Sequence, residues 1–410
     1  MSYKDLKKFP KLPTFTGMSI IYDTVGIKSK SRLDLSLVIF DEYANVASIM
    51  TKSKTCGANI KWLKKIKNHG KAKVLFVNSG NANAYTGKEG YLNVKKIVNY
   101  FYENKLCNKS EVIISSTGVI GEQLPIKKII TSLPNLLKKP IIKKTKENDW
   151  KSFAKSILTT DTFPKASYTV SKIGNKKVKI LGISKGSGMI APNMATMLGY
   201  IFTDADLSPV ILNGLLTRVS EKTFNSITVD SDTSTSDMVC FFSTRKVKCN
   251  IRNYSDKKLE KFKDDLEKVA LDLAKKIVFD GEGASKLVEI KVTGGKSYKA
   301  SKKIALSIAN SPLVKTAIAG EDANWGRIIM AIGKTNETVE QDKISLGFGN
   351  IMIIRAGEIV KGYKENRLAK YLKEKKLQIN IDLGIGDAVS KVWTCDLTKE
   401  YISINADYRS

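Results

Sequence analysis

Short apolar runs, separated by stretches with helical periodicity, are the main pattern along this chain. Runs of four to six apolar residues are typical of buried strands. They occur at Leu35–Phe40, Val74–Val77, Val112–Ser115, Val178–Ile183, Met238–Phe242, Leu287–Val292 and Ile351–Ile354. Some of these strands follow one another directly and others alternate with helices. The pattern therefore predicts an α+β layered fold rather than a doubly wound sheet.

Two segments have apolar residues at helical spacing and predict amphipathic helices. The apolar positions are Val94, Ile97, Val98 and Phe101 in the first segment, and Phe262, Leu266, Val269 and Leu273 in the second. A third helix is predicted to begin after Ser208, because a capping serine followed by proline at the first helical position is a strong start signal.

The composition supports a folded, cytoplasmic protein. Of the 410 residues, 42% are hydrophobic, which excludes a disordered chain. No apolar run reaches the length of about 18 residues that a membrane span needs. The first residues, MSYKDLKKFPKLPTF, lack the apolar core of a secretory signal. We therefore expect a cytoplasmic protein with no membrane contact.

The net charge of +29 is concentrated in the first half, where positions 1–195 hold 35 of the 69 Lys+Arg and only 12 of the 40 Asp+Glu. A basic chain can bind nucleic acid. Here the lysines lack interleaved aromatic residues and are accompanied by few arginines, which provide most specific phosphate and base contacts. A solvated lysine surface is the favoured interpretation, and nucleic-acid binding is kept as an alternative to test.

The histidine and cysteine content limits the chemistry. The single histidine, His69, lies in the lysine-rich stretch KNHGKAK, which is typical of a solvated loop. Catalysis by a Ser-His-Asp or Cys-His arrangement would depend on this residue alone. The five cysteines have no metal-binding spacing and are odd in number, so we expect reduced thiols and no metal site.

The most irregular segment is KGSGMIAPNMATML, residues 185–198, which follows a predicted strand. Its glycines and proline allow a tight backbone just before Ala195 and Thr196. The segment contains Lys, Gly and Ser, but the pattern GxxxxGK[ST] is absent and Lys185 precedes the glycines, which argues against a phosphate-binding loop. From spacing alone, an ordinary turn into a strand is the default interpretation.

This segment resembles the cleavage-site signature of the ornithine acetyltransferase family, the bifunctional glutamate N-acetyltransferases of arginine biosynthesis. The resemblance extends from about residue 12 to the C-terminus. Further matching blocks are NSGNANA at 78–84, STGVIG at 116–121, TTDT at 159–162, TVD at 228–230, DGEGA at 280–284, NWGR at 324–327 and NADYRS at 405–410.

The resemblance implies that the chain cuts itself between Ala195 and Thr196. It implies an α chain of residues 1–195 and a β chain of residues 196–410, which together form one intertwined catalytic unit. The implied fold is the layered α/β sandwich of self-cleaving N-terminal-nucleophile enzymes. The new α-amine of Thr196, with an ordinary pKa near 7.7–8.0, can act as the base for its own hydroxyl. Acyl transfer is thus feasible in a chain with one histidine.

The implied reaction moves an acetyl group from N2-acetylornithine to glutamate through an acetyl-threonine intermediate. The resemblance gives Thr196 as nucleophile and Thr117 (hydroxyl) with Gly118 (backbone N–H) as the oxyanion hole. It gives as substrate-binding residues Thr159, Thr160, Lys185, Thr196, Glu282, Asn405 and Ser410. No metal or cofactor is implied, acetyl-CoA is a candidate co-substrate, and assembly as (αβ)2 or higher is expected.

One alternative within the same fold remains. A related self-cleaving amidohydrolase or aminopeptidase would pass the acyl group to water instead of an amine. A threonine rather than a serine at the cleavage point, together with Lys185 and Glu282, argues against it.

Overall fold

The computed structural model of the chain describes residues 4–138, 144–191 and 197–407. The segment before the predicted cleavage point contains β1 (Met18–Asp23), β2 (Leu35–Met50), α1 (Ala58–Ile66), β3 (Lys71–Asn81), α2 (Gly87–Glu103), β4 (Val112–Val119), α3 (Ile126–Lys138), α4 (Glu147–Ser156), β5 (Lys165–Ile173) and β6 (Lys176–Lys185). Short 3-10 helices occur between these elements, including one at Lys67–His69.

The segment after it begins with β7 (Leu198–Asp206), α5 (Pro209–Lys222), β8 (Met238–Lys248) and α6 (Glu260–Phe279). It continues with β9 (Leu287–Gly295), α7 (Tyr298–Ala309), α8 (Pro312–Ala319), α9 (Gly326–Gly333), β10 (Ser345–Phe348), β11 (Ile351–Arg355), β12 (Glu358–Ile359), α10 (Glu365–Leu372), β13 (Lys376–Asp382), β14 (Ala388–Cys395) and α11 (Lys399–Ala406).

Two mixed sheets organise the described residues. The eight-stranded sheet has the order β4-β3-β2-β8-β7-β6-β5, with β1 added along β2. The six-stranded sheet has the order β12-β11-β10-β13-β9-β14. The pairs β3/β4, β7/β8 and β9/β13 are parallel, and the other pairs are antiparallel.

Helices pack against both faces of the eight-stranded sheet because both are apolar. The six-stranded sheet has one apolar face, since β9 and β13 alternate buried apolar residues with more exposed polar ones. One face of the eight-stranded sheet packs against α1 to α4. Its other face packs against α5 and α6, and α6 also contacts β14 of the six-stranded sheet. The far face of the six-stranded sheet is covered by α7 to α10. This arrangement confirms the predicted α+β layered fold.

The predicted strands all lie within observed strands, and the helix predicted after Ser208 is α5. The Ser208 hydroxyl accepts a hydrogen bond from the backbone N–H of Ile211, and Pro209 is the first helical residue. The two amphipathic patterns form α2 and α6, with their apolar residues buried. Among the described helices, none combines the length and the apolar character that crossing a membrane requires.

Strand β2 is much longer than the predicted run Leu35–Phe40. The pairing of β2 with β3 shifts register between Ile39 and Ala44, which indicates a bulge at the polar residues that follow Phe40. Beyond the bulge the strand continues with partly exposed positions, so its apolar run breaks off before the strand does. A bulge interrupts the alternation on which strand prediction depends.

Strands β6 and β7 are antiparallel neighbours, with Lys185 opposite Leu198. The loop that joins them contains the predicted cleavage point. The chain segments on either side of that point therefore lie side by side in one sheet, at the end where the candidate site is found.

Candidate active site

A cavity of about 250 Å³ lies at this end of the eight-stranded sheet. The ends of β4 and β6, the start of β7, the loop before β8, the turn after α6 and helix α11 surround it. Its lining residues are Thr117, Gly118, Val119, Ile120, Thr159, Thr160, Lys185, Gly188, Met189, Met197, Leu198, Ser234, Ser236, Asp237, Glu282 and Asn405. The structure thus brings together seven of the predicted site residues, from positions 117 to 405.

Thr117 and Gly118 lie at the end of β4, next to Lys185 at the end of β6. The Lys185 Nζ donates a hydrogen bond of 3.1 Å to the Thr117 Oγ1. In this contact the Thr117 oxygen is the acceptor. The hydroxyl hydrogen therefore stays available for donation to an acceptor in the cavity. Gly118 has φ +133°, and a Cβ there would lie 2.3 Å from the backbone of Gly80. Only glycine fits this position.

Glu282 approaches from the turn that follows α6. A Cβ on Gly188 would lie 2.3 Å from the Glu282 carboxyl carbon, so the absence of a side chain at Gly188 makes room for the carboxylate. The Asn405 side-chain amide donates to Glu282 Oε2 over 3.0 Å. The backbone N–H of Glu282 also donates to the carbonyl of Ser187. The sharp turn at residues 186–188 and the Glu282 carboxylate therefore support each other.

Thr159 and Thr160 reach the cavity from the loop between α4 and β5. The Thr160 and Ser187 hydroxyls are 2.6 Å apart and share a hydrogen bond. Arg32 donates to the Thr159 carbonyl at 3.2 Å, which ties this loop to the segment between β1 and β2. The two threonines are thus held at the cavity edge by contacts on both sides.

A cluster of buried charges lies directly behind the cavity. The Lys165 Nζ is 2.6 Å from Asp161 Oδ1 and 2.5 Å from Asp280 Oδ2, and the three side chains are at most 2% exposed. Asp161 Oδ1 also accepts the backbone N–H of Gly186 over 2.6 Å. The cluster therefore anchors the backbone immediately after Lys185.

The charges in this cluster shift one another's pKa values. Burial disfavours ionisation of Asp161, but the positive charges of Lys165 and Lys185 outweigh it and lower the pKa of Asp161 to about 2. Burial raises the pKa of Asp280, which shares the Lys165 ammonium with Asp161. Burial also lowers the pKa of Lys185, and the Asp161 carboxylate opposes that shift.

Asp230, which lies in the matching block TVD but was given no role in the sequence analysis, holds the backbone that leads to the cleavage point. Its two carboxylate oxygens accept the N–H groups of Met189 and Ile190, at 2.6 and 2.9 Å. Met189 has φ +55°, a conformation that residues other than glycine seldom adopt. The Tyr401 hydroxyl of α11 donates to the same carboxylate over 3.3 Å. Asp230 thus joins the strained turn to the C-terminal helix.

Asp237 is a residue that the sequence analysis missed. It lines the cavity just before β8, and it is 3% exposed. Burial raises the pKa of its carboxyl group well above the usual value, against hydrogen bonds from Ser234 and the Met197 N–H. Its sequence signal was weak, since the segment SDTSTSD is typical of an exposed polar loop.

Three predicted site residues, Ala195, Thr196 and Ser410, lie outside the described residues. The described backbone ends at Ala191 and resumes at Met197, which lines the cavity. His69 is exposed, at 3.9 Å from Glu111, and is not among the cavity-lining residues. Throughout residues 4–138, 144–191 and 197–407, no group of three or more His, Cys, Asp or Glu side chains is arranged to hold a metal ion.

Comparison with known proteins gives the same family over nearly the whole chain. The model of the ArgJ family matches residues 20–410. The arginine biosynthesis bifunctional protein ArgJ of Mesorhizobium japonicum is 48% identical over 408 residues, which is 98% of this chain and 98% of the relative. The protein of the same name from Zymomonas mobilis subsp. mobilis is 46% identical over 402 residues, 98% of this chain and 97% of the relative.

Two solved structures align with parts of this chain. The arginine biosynthesis bifunctional protein ArgJ of Bacillus halodurans aligns with a TM-score of 0.48 and 39% identity, covering 50% of this chain and 97% of that one. The ornithine acetyltransferase of Mycobacterium tuberculosis, solved in complex with ornithine, aligns with a TM-score of 0.36 and 25% identity. The alignment covers 43% of this chain and 92% of that one.

Proposed function

The chain belongs to the ArgJ family, and from this premise we propose that it transfers the acetyl group of N2-acetylornithine to glutamate, producing ornithine and N-acetylglutamate. The family predicted from the sequence motifs is confirmed. The chain is therefore an acyltransferase of arginine biosynthesis. Family membership favours transfer to glutamate over the alternative, in which a related self-cleaving hydrolase passes the acyl group to water.

We propose that the enzyme is formed by cleavage between Ala195 and Thr196. The Thr196 hydroxyl attacks the Ala195 carbonyl, and the C–N bond between the two residues breaks, which frees the Thr196 α-amine and leaves an ester. Water then hydrolyses this ester, which releases the Ala195 carboxylate and restores the Thr196 hydroxyl. That amine then acts as the base for the hydroxyl when it attacks the acetyl group of the donor. Thr196 is bonded directly to Met197, which lines the cavity, and this supports the assignment of the nucleophile to this site.

The pair of Thr117 and Gly118 beside Lys185 is the observation that carries the proposal. Attack on an amide carbonyl produces an oxyanion, which hydrogen-bond donors fixed in advance stabilise by about 2.7–4 kcal/mol each. The Thr117 hydroxyl, whose oxygen accepts from Lys185, keeps its hydrogen for this oxyanion. The Gly118 N–H provides the second donor. Catalysis then requires no histidine and no metal ion.

Substrate recognition uses the two charges that face each other across the cavity. The Lys185 ammonium binds the α-carboxylate that donor and acceptor share, and the Glu282 carboxylate, held by Asn405, binds a substrate ammonium. Thr159 and Thr160 contribute polar contacts at the cavity edge, and Ser410 stays a further expected substrate-binding residue.

Cleavage would leave both fragments in one folded unit. Residues 1–195 supply β6 and residues 196–410 supply β7, and these strands pair along six residues from Ile180–Lys185 to Leu198–Thr203. The same sheet is covered by α1 to α4 of the first fragment on one face and by α5 and α6 of the second on the other. This supports a single intertwined unit, for which we propose a cytoplasmic location and an assembly of (αβ)2 or higher.

Intact mass spectrometry tests the central step. We expect the purified protein to give two fragments, beginning at Met1 and Thr196, and the Thr196→Ala variant to remain one inactive chain of 45.4 kDa. An uncut wild-type chain that transfers acetyl groups would contradict the mechanism. The Thr196→Ser variant is the matched control, because it keeps a hydroxyl and an α-amine, and we expect it to be cut and to retain activity.

A second assay separates transfer from hydrolysis. With N2-acetylornithine as donor, we expect N-acetylglutamate to form when glutamate is present, and acetate release to be minor by comparison. Acetate release that glutamate does not suppress would favour the hydrolase. Replacing N2-acetylornithine by acetyl-CoA in this assay tests the candidate second donor. If the protein retards DNA or RNA in a gel and added salt weakens this effect, the result would support the alternative that the basic chain binds nucleic acid.

A further inference from the structure

The proposed reaction moves a proton as well as an acetyl group. In the first half-reaction the Thr196 Oγ–acetyl bond forms and the donor's C–N bond breaks. The hydroxyl proton converts the departing nitrogen to a neutral amine, and a second proton is needed for ornithine to leave as an ammonium ion. In the second half-reaction glutamate enters as an ammonium ion, since an α-amine is mostly protonated at neutral pH. It must lose one proton before it can attack.

Between the two half-reactions the acetyl-enzyme therefore carries one proton fewer than the free enzyme. A group that is protonated in the free enzyme gives this proton to the departing amine and recovers it from the incoming one. Such a group must line the cavity, be shielded from water and have no competing partner for its proton. These requirements follow from the proposed acetyl transfer, and the inference rests on that proposed function.

Asp237 has the required geometry. Its carboxyl group lines the same cavity as Thr117, Lys185 and Glu282, and the residue is 3% exposed. Within the part of the chain that the structure describes, its Oδ2 atom is buried and makes no hydrogen bond. Hydrogen bonds from Ser234 and the Met197 N–H hold the group in place. A buried carboxylate oxygen without a partner is unfavourable, whereas a protonated one can donate to a bound substrate.

We propose that Asp237 is the proton-holding group of this site. The Asp237 Oδ2–H bond breaks as the departing ornithine nitrogen takes the proton. The resulting carboxylate then takes one proton from the glutamate ammonium, and the O–H bond forms again. A second nitrogen proton of glutamate returns, through the Thr196 amine, to the Thr196 oxygen, and the third stays on the amide nitrogen of N-acetylglutamate. One full cycle leaves the enzyme unchanged.

The surroundings of Asp237 favour this role over the other ionisable groups. Those that face it are Lys185 from β6 and Glu282 from the turn after α6, and Lys185 in turn adjoins Asp161 and Lys165. Lys185 already donates to Thr117, and Glu282 already accepts from Asn405. Burial raises the pKa of Asp237 well above its usual value, so the group is a neutral acid under conditions where other carboxyls have ionised.

The two half-reactions, measured separately in single turnovers, test this proposal through opposite pH dependences. Ornithine release needs the protonated acid, so its rate should fall as pH rises through the pKa of Asp237. Loss of the acetyl group to glutamate needs the carboxylate, so its rate should rise over the same range. Asp237→Asn should abolish both the fall in the rate of ornithine release and the rise in the rate of acetyl loss with pH. It should also slow each step by about 100-fold or more, the usual contribution of a proton-transfer group.

Asp204→Asn is the matched control. Asp204, on β7, is also a buried carboxyl whose pKa is raised by burial, but it accepts the backbone N–H of Lys179 on β6 and does not line the cavity. For Asp204→Asn we expect both half-reactions to keep the pH dependence that they have in the wild type. If Asp237→Asn keeps both limbs and rates within threefold of the wild type, the role of Asp237 is refuted while the proposed function stands. A wild-type protein that transfers no acetyl group would refute both.

Two further measurements test the proposal without the Asp237→Asn variant, in case that variant folds poorly. Infrared spectroscopy of the wild type should show a protonated carboxyl band at neutral pH that titrates together with ornithine release, and absence of such a band would refute the proposal. Ser234→Ala removes a hydrogen bond that lowers the pKa of Asp237. The falling limb of ornithine release should then move to higher pH, and an unmoved limb would also refute the proposal.

Discussion

The cavity end of the eight-stranded sheet and the core of the six-stranded sheet are built from opposite kinds of residues. The cavity end buries Asp161, Lys165 and Asp280 against one another, with their side chains at most 2% exposed. The core of the six-stranded sheet buries aliphatic side chains such as Ile290 and Ile379, which are fully covered. Both regions are equally hidden from water, but by different physical means.

The difference separates stability from chemistry. Burial of aliphatic surface stabilises the fold by about 25 cal/mol per Å². Burial of charges costs free energy that their mutual attraction only partly returns. The charged cluster is therefore held in place by the rest of the fold, and what it contributes is the position of Gly186 and Lys185. The apolar core stabilises the protein without touching the cavity.

The largest effect should follow from breaking the buried cluster. Lys165→Met leaves Asp161 and Asp280 buried without a counter-ion, and we expect a loss of about 3–5 kcal/mol in the free energy of unfolding. Urea denaturation in the Thr196→Ala background, which keeps one covalent chain, measures it. A loss below about 1 kcal/mol would mean that the cluster is no different from a surface ion pair.

Lys261→Met is the control for that experiment. Lys261 and Asp265 have the same four-residue spacing and the same 2.6 Å distance as the buried pair, but the Lys261 side chain is 58% exposed. Because solvent screens such a pair, we expect the free energy of unfolding to change by less than about 1 kcal/mol.

The next effect should be confined to catalysis. Thr117→Val removes the hydroxyl that points into the cavity and keeps the shape of the side chain. We expect kcat to fall by about 10²–10³-fold, with the unfolding free energy changed by less than about 1 kcal/mol. Thr117→Ser should retain most of the activity. Steady-state acetyl transfer measures both, and an active Thr117→Val variant would remove Thr117 from the oxyanion hole.

A smaller effect should appear in acid. The pKa of Asp161 is about 2 in the folded protein, and it is near 3.9 in an unfolded chain. The ionised form therefore adds about 2 kcal/mol of stability above pH 4, which is lost as the pH falls from about 4 to about 2. Unfolding free energies measured over this range should show the loss in the wild type and a weaker pH dependence in Asp161→Asn.

The smallest effect should come from the apolar core. Ile379→Val removes one buried methylene group from β13, and we expect a loss of about 0.5–1.5 kcal/mol in unfolding free energy. Because Ile379 is fully covered and does not line the cavity, kcat and KM should equal those of the wild type. A change of kcat by more than about twofold would show that the two regions are coupled.

The sequence was most informative where local pattern and local structure coincide. The strand predicted at Val112–Ser115 and the helix start at Ser208 depend on neighbouring residues, and both are observed. The strand predicted at Leu35–Phe40 was too short, because a bulge in β2 interrupts the alternation.

At the candidate site, prediction depended on motifs. The matching blocks picked out Thr117, Lys185 and Glu282, which the structure places around one cavity. Asp237 was missed, since it lies in a polar segment typical of an exposed loop, and Asp230 was part of a matching block but was given no role. Only the packing of other elements over these segments buries the two carboxyl groups.

By itself, the sequence determined the layered α+β class, the family and the residue types available for acyl transfer, because periodicity and motifs are properties of neighbouring positions. Tertiary structure alone decided which of these residues meet. It places Lys185 against Thr117, Asn405 against Glu282 and Lys165 between two carboxylates, across separations of 68, 123 and up to 115 positions. Hydrogen bonds and pKa shifts act over a few ångströms of space, and distance along the chain does not reveal them.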